Sequence, residues 1–309
     1  MIPVIDISDA ERAHVHKQID DACRDWGVFQ VVGHGLDVRM FEALRRQMRA
    51  LFSMPLEEKL TIARSAKNPW GFYDRELTRH TRDWKQVYDY GPPDGGELVP
   101  QFPAKLPAFR PIIGAFYDAC DALSLRLLRI MARNLGMPPE SLDAYFRPAH
   151  TSFVRLNYYP KCATPERPDG LGTAVIGHLG VNPHTDSGAI TLLLQDARGL
   201  EVSRDGTWWL VEPVRDALTV NIGDMMQVWS NDEYIAPLHR VLVSDEERFS
   251  APFFFNPSYA TNYAPLPSVV DPRHPARYRP INWREFRDQR AAGDYADAGE
   301  YMQISRYAI

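Results

Sequence analysis

Val181–Gln195 reads VNPHTDSGAITLLLQ. Its second half is an apolar, strand-like run, and its first half sets His184 and Asp186 two residues apart. In a strand, side chains at i and i+2 point to one face, their Cα atoms roughly 6.5–7 Å apart. An imidazole and a carboxylate so placed can reach one cation between them. The third ligand must come from elsewhere, and His239 in LHRVLV is the candidate. Two neutral imidazoles and one carboxylate, with other coordination positions open, suit a non-haem Fe(II) site. Arg248 lies nine residues after His239, and Ser250 two further on. If that segment is also a strand, a guanidinium fork and a hydroxyl share a face, which suits bidentate recognition of a carboxylate.

Working outward, the pattern from Thr151 onward is β. TSFVRLNYYP reads as a strand, and short strands follow at Ala189–Gln195, Leu200–Ser203, Trp208–Val211, Ala217–Ile222, Met225–Trp229, Leu238–Ser244 and Ala251–Asn256. Turn signals at Asp205-Gly206 and Gly223-Asp224 fit an antiparallel sandwich or jelly roll. Lys161–Leu179, rich in Pro and Gly, reads as an insertion loop, and Asn282–Ala291 as a closing helix.

Before Thr151 the chain mixes helix and strand. Pro3–Ile7 and Gly27–Val32 read as strands, and Asp9–Trp26 as a helix capped by Ser8. Val38–Ser53 carries Phe41, Leu44, Met48 and Leu51 at helical spacing, and MPLEEK starts a short helix. Asp83–Tyr90 alternates as a strand with Trp84, Gln86, Tyr88 and Tyr90 on one face. Leu106–Leu135 is the longest helix, with a buried stripe that suits a brace across the outer face of a barrel. His34 reads as a hydrogen-bonded turn histidine. The basic run Arg75, Arg79, His80, Arg82, Lys85 reads as a solvated face, with contact to an acidic substrate as the alternative. A boundary near residue 150 would divide an N-terminal region (1–150) from a β domain (151–309). The N-terminal helices need the barrel to bury their apolar faces, so one catalytic unit is expected.

At 309 residues, 45% hydrophobic and 24% charged, the composition is that of a globular protein. A formal charge of -5 argues against nucleic acid and anionic membranes as partners. No stretch reaches membrane-span length and the N-terminus has no apolar leader, so a cytoplasmic protein is expected, a monomer or weak homo-oligomer. Cys23, Cys120 and Cys162 are scattered and lack metal spacing, so buried thiols are expected.

These motifs, in this order, resemble the iron(II)/2-oxoglutarate-dependent oxygenases of the isopenicillin N synthase-like family, which includes plant flavonoid, gibberellin and alkaloid oxidases. The family's H-x-D and its distant H fall on His184, Asp186 and His239; its R-x-S on Arg248 and Ser250; its N-x-Y on Asn157 and Tyr159 in RLNYYP. IPVIDIS, DWGVFQVVGHG and FSMPLEEK resemble its N-terminal region. The resemblance implies a mainly β fold with flanking helices around a double-stranded β-helix core, a cupin-like jelly roll. It implies Fe(II) on His184, Asp186 and His239. It implies 2-oxoglutarate as cosubstrate, its far carboxylate on Arg248, Ser250 and Tyr159, with Asn157 nearer the chelating end. O2 is then consumed, succinate and CO2 are released, and a small, largely apolar specialised metabolite is hydroxylated, desaturated or cyclised. Asp at position 186 argues against halogenation, for which relatives leave that position small. Phe72, Tyr88, Phe254 and Asn256 match positions that approach substrate in relatives. Alternation from Ser250 puts Phe254 and Asn256 on the cavity face, with Phe253 and Phe255 on the outer face.

Three other readings compete. A zinc hydrolase would accept the same ligands, but no HExxH helix is present. A metal-free cupin-like binding protein would need all five polar residues to be accidental. An oxidase of the isopenicillin N synthase type, which uses no 2-oxoglutarate, shares the nine-residue gap from His239 to Arg248; the Asn157-x-Tyr159 pair favours the 2-oxoglutarate reading.

Overall fold

The computed structural model describes residues 1–93, 98–162, 178–295 and 302–309, the last four residues of the segment ending at 295 by backbone alone. The chain begins β1 (Val4–Asp6), α1 (Ala13–Asp25), β2 (Val28–Val32), α2 (Val38–Phe52) and α3 (Leu56–Leu60). Short strands follow: β3 (Gly71–Tyr73), β4 (Leu77–Thr78), β5 (Thr81–Arg82) and β6 (Gln86–Tyr90). After α4 (Phe109–Asn134) come β7 (Phe153–Tyr159), β8 (Leu179–His184), β9 (Ile190–Gln195), β10 (Leu200–Arg204), β11 (Thr207–Leu210) and β12 (Leu218–Ile222). The chain then runs α5 (Asp224–Trp229), β13 (His239–Leu242), β14 (Arg248–Phe255), β15 (Asn262–Tyr263), β16 (Ile281–Asn282) and α6 (Trp283–Tyr295).

Two sheets form the jelly roll. The larger has the order β1-β2-β12-β9-β14-β7-β6-β3 and the smaller the order β11-β10-β13-β8. Their inner faces share an apolar cluster containing Val28, Tyr159, Val181, Leu193, Leu200, Val202 and Val241. The larger sheet's outer face is covered by α4, which packs on β7, β9 and β14 and on α1 and α2. Phe109, Ile113, Phe116, Cys120, Leu123, Leu127, Ile130 and Met131 of α4 are all buried, so the helix is the expected brace. β1 and β2 of the N-terminal segment belong to that same large sheet, β2 pairing with β12. Three free cysteines are buried. Among the described residues no helix is long and apolar enough to cross a membrane.

Four elements depart from expectation. Helix α1 starts at Ala13 rather than Asp9: residues 9–12 form a turn closed by the Arg12 amide on the Asp9 carbonyl, and Arg12, not Ser8, stands at the cap position. Met225–Trp229 lies in the short helix α5, not a strand; five residues, four of them apolar around Gln227, are too few for a period that separates the two. Its first amides, of Asp224 and Met225, donate to the carbonyls of Asp186 and Gly188, anchoring the helix start on the loop before β9. Leu179 opens strand β8 instead of closing a loop, and most of that expected insertion falls outside the described residues. Finally, β8 ends at His184, so Asp186 lies in the following bend and the two do not share one strand. His34 is the expected turn histidine, bonding the Asp216 carbonyl and accepting from the Leu36 amide.

Truncating Leu127, fully buried in α4, removes contacts that hold the brace on the sheet. Leu127→Ala should lower the unfolding free energy by about 2–5 kcal/mol, read from urea denaturation; an unchanged midpoint would show that α4 is not seated as described.

Candidate active site

Antiparallel register assembles the site. His239 on β13 pairs directly with His184 on β8, so the two imidazoles lie side by side, ring centroids 4.2 Å apart. Each ring is pinned through Nδ1 to the carbonyl two residues earlier, Asn182 for His184 at 2.8 Å and Pro237 for His239 at 3.0 Å. A carbonyl can only accept, so Nδ1 carries the proton and each Nε2 lone pair is left free. Asp186 Oδ1 sits 3.7 Å from both Nε2 atoms. Its other oxygen is occupied: Thr191 Oγ1 donates to Oδ2 at 2.6 Å and Asn221 Nδ2 at 2.8 Å. One carboxylate oxygen is thus held to the sheet and the other aimed at the imidazoles. One ligand atom from each of the three residues falls within 4.8 Å of the other two, a convergent N,N,O set.

The electrostatics favour the metal-binding protonation states. Burial holds His184 well below the usual imidazole range, helped by His239 and opposed by Asp186. Burial works against ionisation of Asp186, but the two imidazoles and the Asn221 and Thr191 donors outweigh it and hold the carboxyl below its usual value. A neutral imidazole with a free Nε2 beside an ionised carboxylate is a donor set that could take Fe(II).

The second cluster lies along β14 and β7, where Arg248 pairs with Tyr159 and Ser250 with Asn157. Arg248 is buried, 3% exposed, with Nε donating to Ala197 O and Nη2 to Gln195 Oε1. Its Nη1 is buried with no hydrogen-bond partner among the described residues, as is Asn157 Oδ1. A native fold rarely leaves such groups unmatched, and a buried guanidinium with an unmatched N–H, on a residue that lines the cavity together with Ser250, calls for an acid ligand. Arg248 also lies over the Tyr159 ring, 4.9 Å from its centroid. Gly180 makes room for that ring: a Cβ there would come within 2.7 Å of it. The residues present therefore fit a dicarboxylate next to a metal.

Both clusters open onto one cavity of about 540 Å³. Phe254 and Asn256 line it, as alternation from Ser250 requires. Phe253 and Phe255 face the outer core, Phe255 stacked on Phe146 at 4.1 Å. Phe72 and Tyr88 do not line it, contrary to expectation. Cross-strand partners share a face, and Tyr88 pairs with both Phe72 and the core residue Leu156. The Tyr88 hydroxyl is spent on the Gln101 carbonyl and its ring meets Phe109 edge-on at 5.0 Å. The strand reading of that segment was right and the choice of face was not.

What the sequence does not reveal is the wall that β7 and the segments before β4 and β6 present. Glu76, Lys85 and Arg155 line the cavity. Arg155 bridges Glu76 and Asp89, Arg64 pairs with the same two acids, and Lys85 Nζ sits 3.1 Å from Asp83. Lys85 therefore leaves the solvated basic run to which it was assigned: burial would discharge it, but Asp83 and Glu76 raise its pKa instead. Thr191 and Asn221 also escaped notice, although Asn221 sits in the NIGD stretch, where a polar residue interrupts an apolar strand.

Comparisons with known proteins agree with this geometry. A model of the 2OG-Fe(II) oxygenase superfamily matches residues 150–257, and a model of the N-terminal region of non-haem dioxygenases in morphine synthesis matches residues 2–108. The oxoglutarate-dependent flavonoid 7-O-demethylase 1 of Ocimum basilicum is 33% identical, covering 92% of this chain and 76% of the relative. Flavanone 3-dioxygenase 2 of Oryza sativa subsp. japonica is 33% identical, covering 92% and 82%. Among solved structures, JOX2 in complex with 2OG, Fe and JA superposes with a TM-score of 0.82 at 34% identity, covering 93% of this chain and 83% of that one.

Anaerobically purified protein should take up about one Fe(II) per chain, the N,N,O set offering one site. His184→Ala and His239→Ala should each abolish uptake in elemental analysis, and iron retained by the double variant would place the metal elsewhere.

Proposed function

The chain belongs to the 2OG-Fe(II) oxygenase superfamily and is an Fe(II)- and 2-oxoglutarate-dependent dioxygenase; on that premise we propose that it hydroxylates, desaturates or cyclises a small, largely apolar metabolite at the mouth of the β8–β13 cavity. The observation that carries the reading is the pairing, in one cavity, of a free Asp186 Oδ1 between two Nε2 atoms with an unmatched Arg248 N–H.

In this reading His184, Asp186 and His239 would hold Fe(II). Arg248 and Ser250, with Tyr159, would take the far carboxylate of 2-oxoglutarate, and Asn157 would stand nearer its keto-acid end. Bound Fe(II) supplies activation of O2, coupled to oxidative decarboxylation of 2-oxoglutarate to succinate and CO2, and thereby removal of hydrogen from a substrate C–H bond. The chain's own contribution is position. Thr191 and Asn221 stop the Asp186 carboxylate from rotating both oxygens away from the site. Asn182 and Pro237 fix both imidazoles with Nε2 inward. Gln195 and the Ala197 carbonyl splay Arg248 so that Nη1 remains for the cosubstrate. Phe254, stacked on Phe153 at 4.8 Å, gives the substrate an apolar floor and keeps water from the reacting end. Beside it, Arg155, two residues from Phe153 on the same face of β7, and Lys85 would meet an oxygen function on the same molecule.

We treat residues 1–150 and 151–309 as one catalytic unit, since β1, β2, β3 and β6 complete the sheet that carries the site. A charge of -5 supports a small-molecule rather than a nucleic-acid partner. The protein is proposed to act in the cytoplasm as a monomer or weak homo-oligomer. The 2-oxoglutarate-independent oxidase reading loses its support: such an enzyme needs an acid partner for Arg248 and Ser250 but no keto-acid site at Asn157, and the relatives named above include an oxoglutarate-dependent enzyme and a structure holding 2OG.

Two measurements test this. Arg248→Ala should weaken 2-oxoglutarate binding by about 2–5 kcal/mol in calorimetry while Fe(II) still binds; unchanged affinity would move the clamp to other residues. Iron-loaded wild-type protein with 2-oxoglutarate should show a broad visible absorption and release succinate slowly in air without substrate. Phe254→Ala should raise the succinate formed per product, because the apolar floor couples the two. Neither absorption nor succinate, with or without candidate substrates, would sink the cosubstrate assignment.

A further inference from the structure

The short loop that carries Asp186 is pinned from outside the jelly roll. Thr185, between the two residues of the H-x-D pair, is the point of attachment. Arg290 on α6 donates through Nη2 to the Thr185 carbonyl and, at 3.1 Å, to its hydroxyl oxygen. The same guanidinium donates through Nη1 to Asp224 Oδ2 at 2.5 Å and to the Met302 carbonyl at 3.4 Å. Asp224 closes the ring, its backbone amide donating to the Asp186 carbonyl at 2.7 Å. The Arg290 and Asp224 side chains are 4% and 3% exposed, so this pair is sealed from water. Gly223 permits the approach: a Cβ there would stand 2.2 Å from the Gly188 carbonyl oxygen.

Such a buried pair is a poor stabilising device, since two desolvated charges gain little over an apolar pair of the same volume. Its geometry serves another purpose. Thr191 and Asn221 fix the Asp186 carboxylate, but neither fixes the main chain between His184 and Asp186, which leaves β8 at that point. Among the described residues, the fork of Arg290 alone reaches the Thr185 carbonyl and the Asp224 carboxylate at once. We infer that Arg290, with Asp224, is a positioning residue that holds the His184–Asp186 loop in its metal-binding conformation, tying the C-terminal helix α6 to the metal site. The inference rests on Asp186 being a metal ligand.

The test compares Asp186→Asn, Arg290→Met, Arg290→Lys and the double variant Asp224→Asn/Arg290→Met, all as full-length chains. The double variant removes the carboxylate that Arg290→Met alone would leave buried and unpaired. Three quantities are read: melting of the metal-free protein, affinity for Mn(II) by electron paramagnetic resonance, and the visible absorption of the Fe(II)–2-oxoglutarate complex. Loss of a contact that orients a ligand costs about 10–100-fold in metal affinity. The expected result is that loss in the double variant, with the metal-free melting close to wild type and the absorption band shifted or weakened. Arg290→Lys keeps the charge but not the fork and should fall between. Wild-type affinity and absorption in the double variant would overturn the inference, leaving Arg290 as a charge partner of Asp224 alone. So would a fall in melting temperature with metal affinity unchanged. Unaltered affinity in Asp186→Asn would instead sink the ligand assignment beneath it.

Discussion

A buried carboxylate that must stay ionised is the constraint on which this structure turns. Desolvation alone would protonate Asp186, so it needs donors, yet a metal needs one of its oxygens left bare. The fold meets both demands by splitting the group. Thr191 from β9 and Asn221 from β12, paired across the same ladder, take Oδ2 and leave Oδ1 between two imidazoles. That division requires β9 and β12 in one register, β8 and β13 in another, and a loop that joins the two sheets within a few residues. Helix α5, which looks like a detail, supplies the amides that this loop's carbonyls need.

Register does the same work for the rest of the cavity. Along β14 the inward residues run Arg248, Ser250, Pro252, Phe254, so one strand passes from a guanidinium and a hydroxyl to an apolar end of the same cavity. A slip of one residue would turn Phe249, Phe253 and Phe255 inward and expose the guanidinium to the outer core. The outer core resists that slip. Phe253 meets Tyr117 edge-on at 5.2 Å, Phe255 stacks on Phe146, and both lie beneath α4. Apolar burial on one face thereby fixes the polar chemistry on the other, and the N-terminal helices are part of that fixing.

This explains what could be read from the sequence and what could not. Period-two alternation and motif order make the jelly roll legible, and with it the face of Phe254 and the residues that the fold brings together, His184, Asp186 and His239, because each reading depends on a few neighbours along the chain. The site itself also depends on which strands pair, and a single strand does not encode its partner. Tyr88 and Phe72 were assigned inward because their strand alternates correctly, while its partner Leu156, which settles the face, lies 68 positions away. Met225–Trp229 reads as a strand because five residues, four of them apolar around Gln227, are too few to show a period; the carbonyls of Asp186 and Gly188 decide it. Arg290 gave no signal at all, since an arginine near the end of a chain looks like surface until α6 folds back.

The wall of Lys85, Glu76 and Arg155 shows why a cavity can be costly on one side. Three cations and three anions meet here: Lys85, Glu76, Asp83 and Asp89 are buried, and Arg64 and Arg155 are largely covered. Apolar residues of equal volume would serve stability as well or better. Their charges balance within the network, so the wall adds no net charge to a site that must already hold a dication and a dicarboxylate. What it adds is direction. Hydrogen-bond donors lie beside aromatic rings in one cavity, Arg155 next to Phe153 and Phe254, and the imidazoles line the same space. A molecule with one oxygen function and an apolar body can lie in such a cavity in few ways, and those few decide which C–H bond faces the metal.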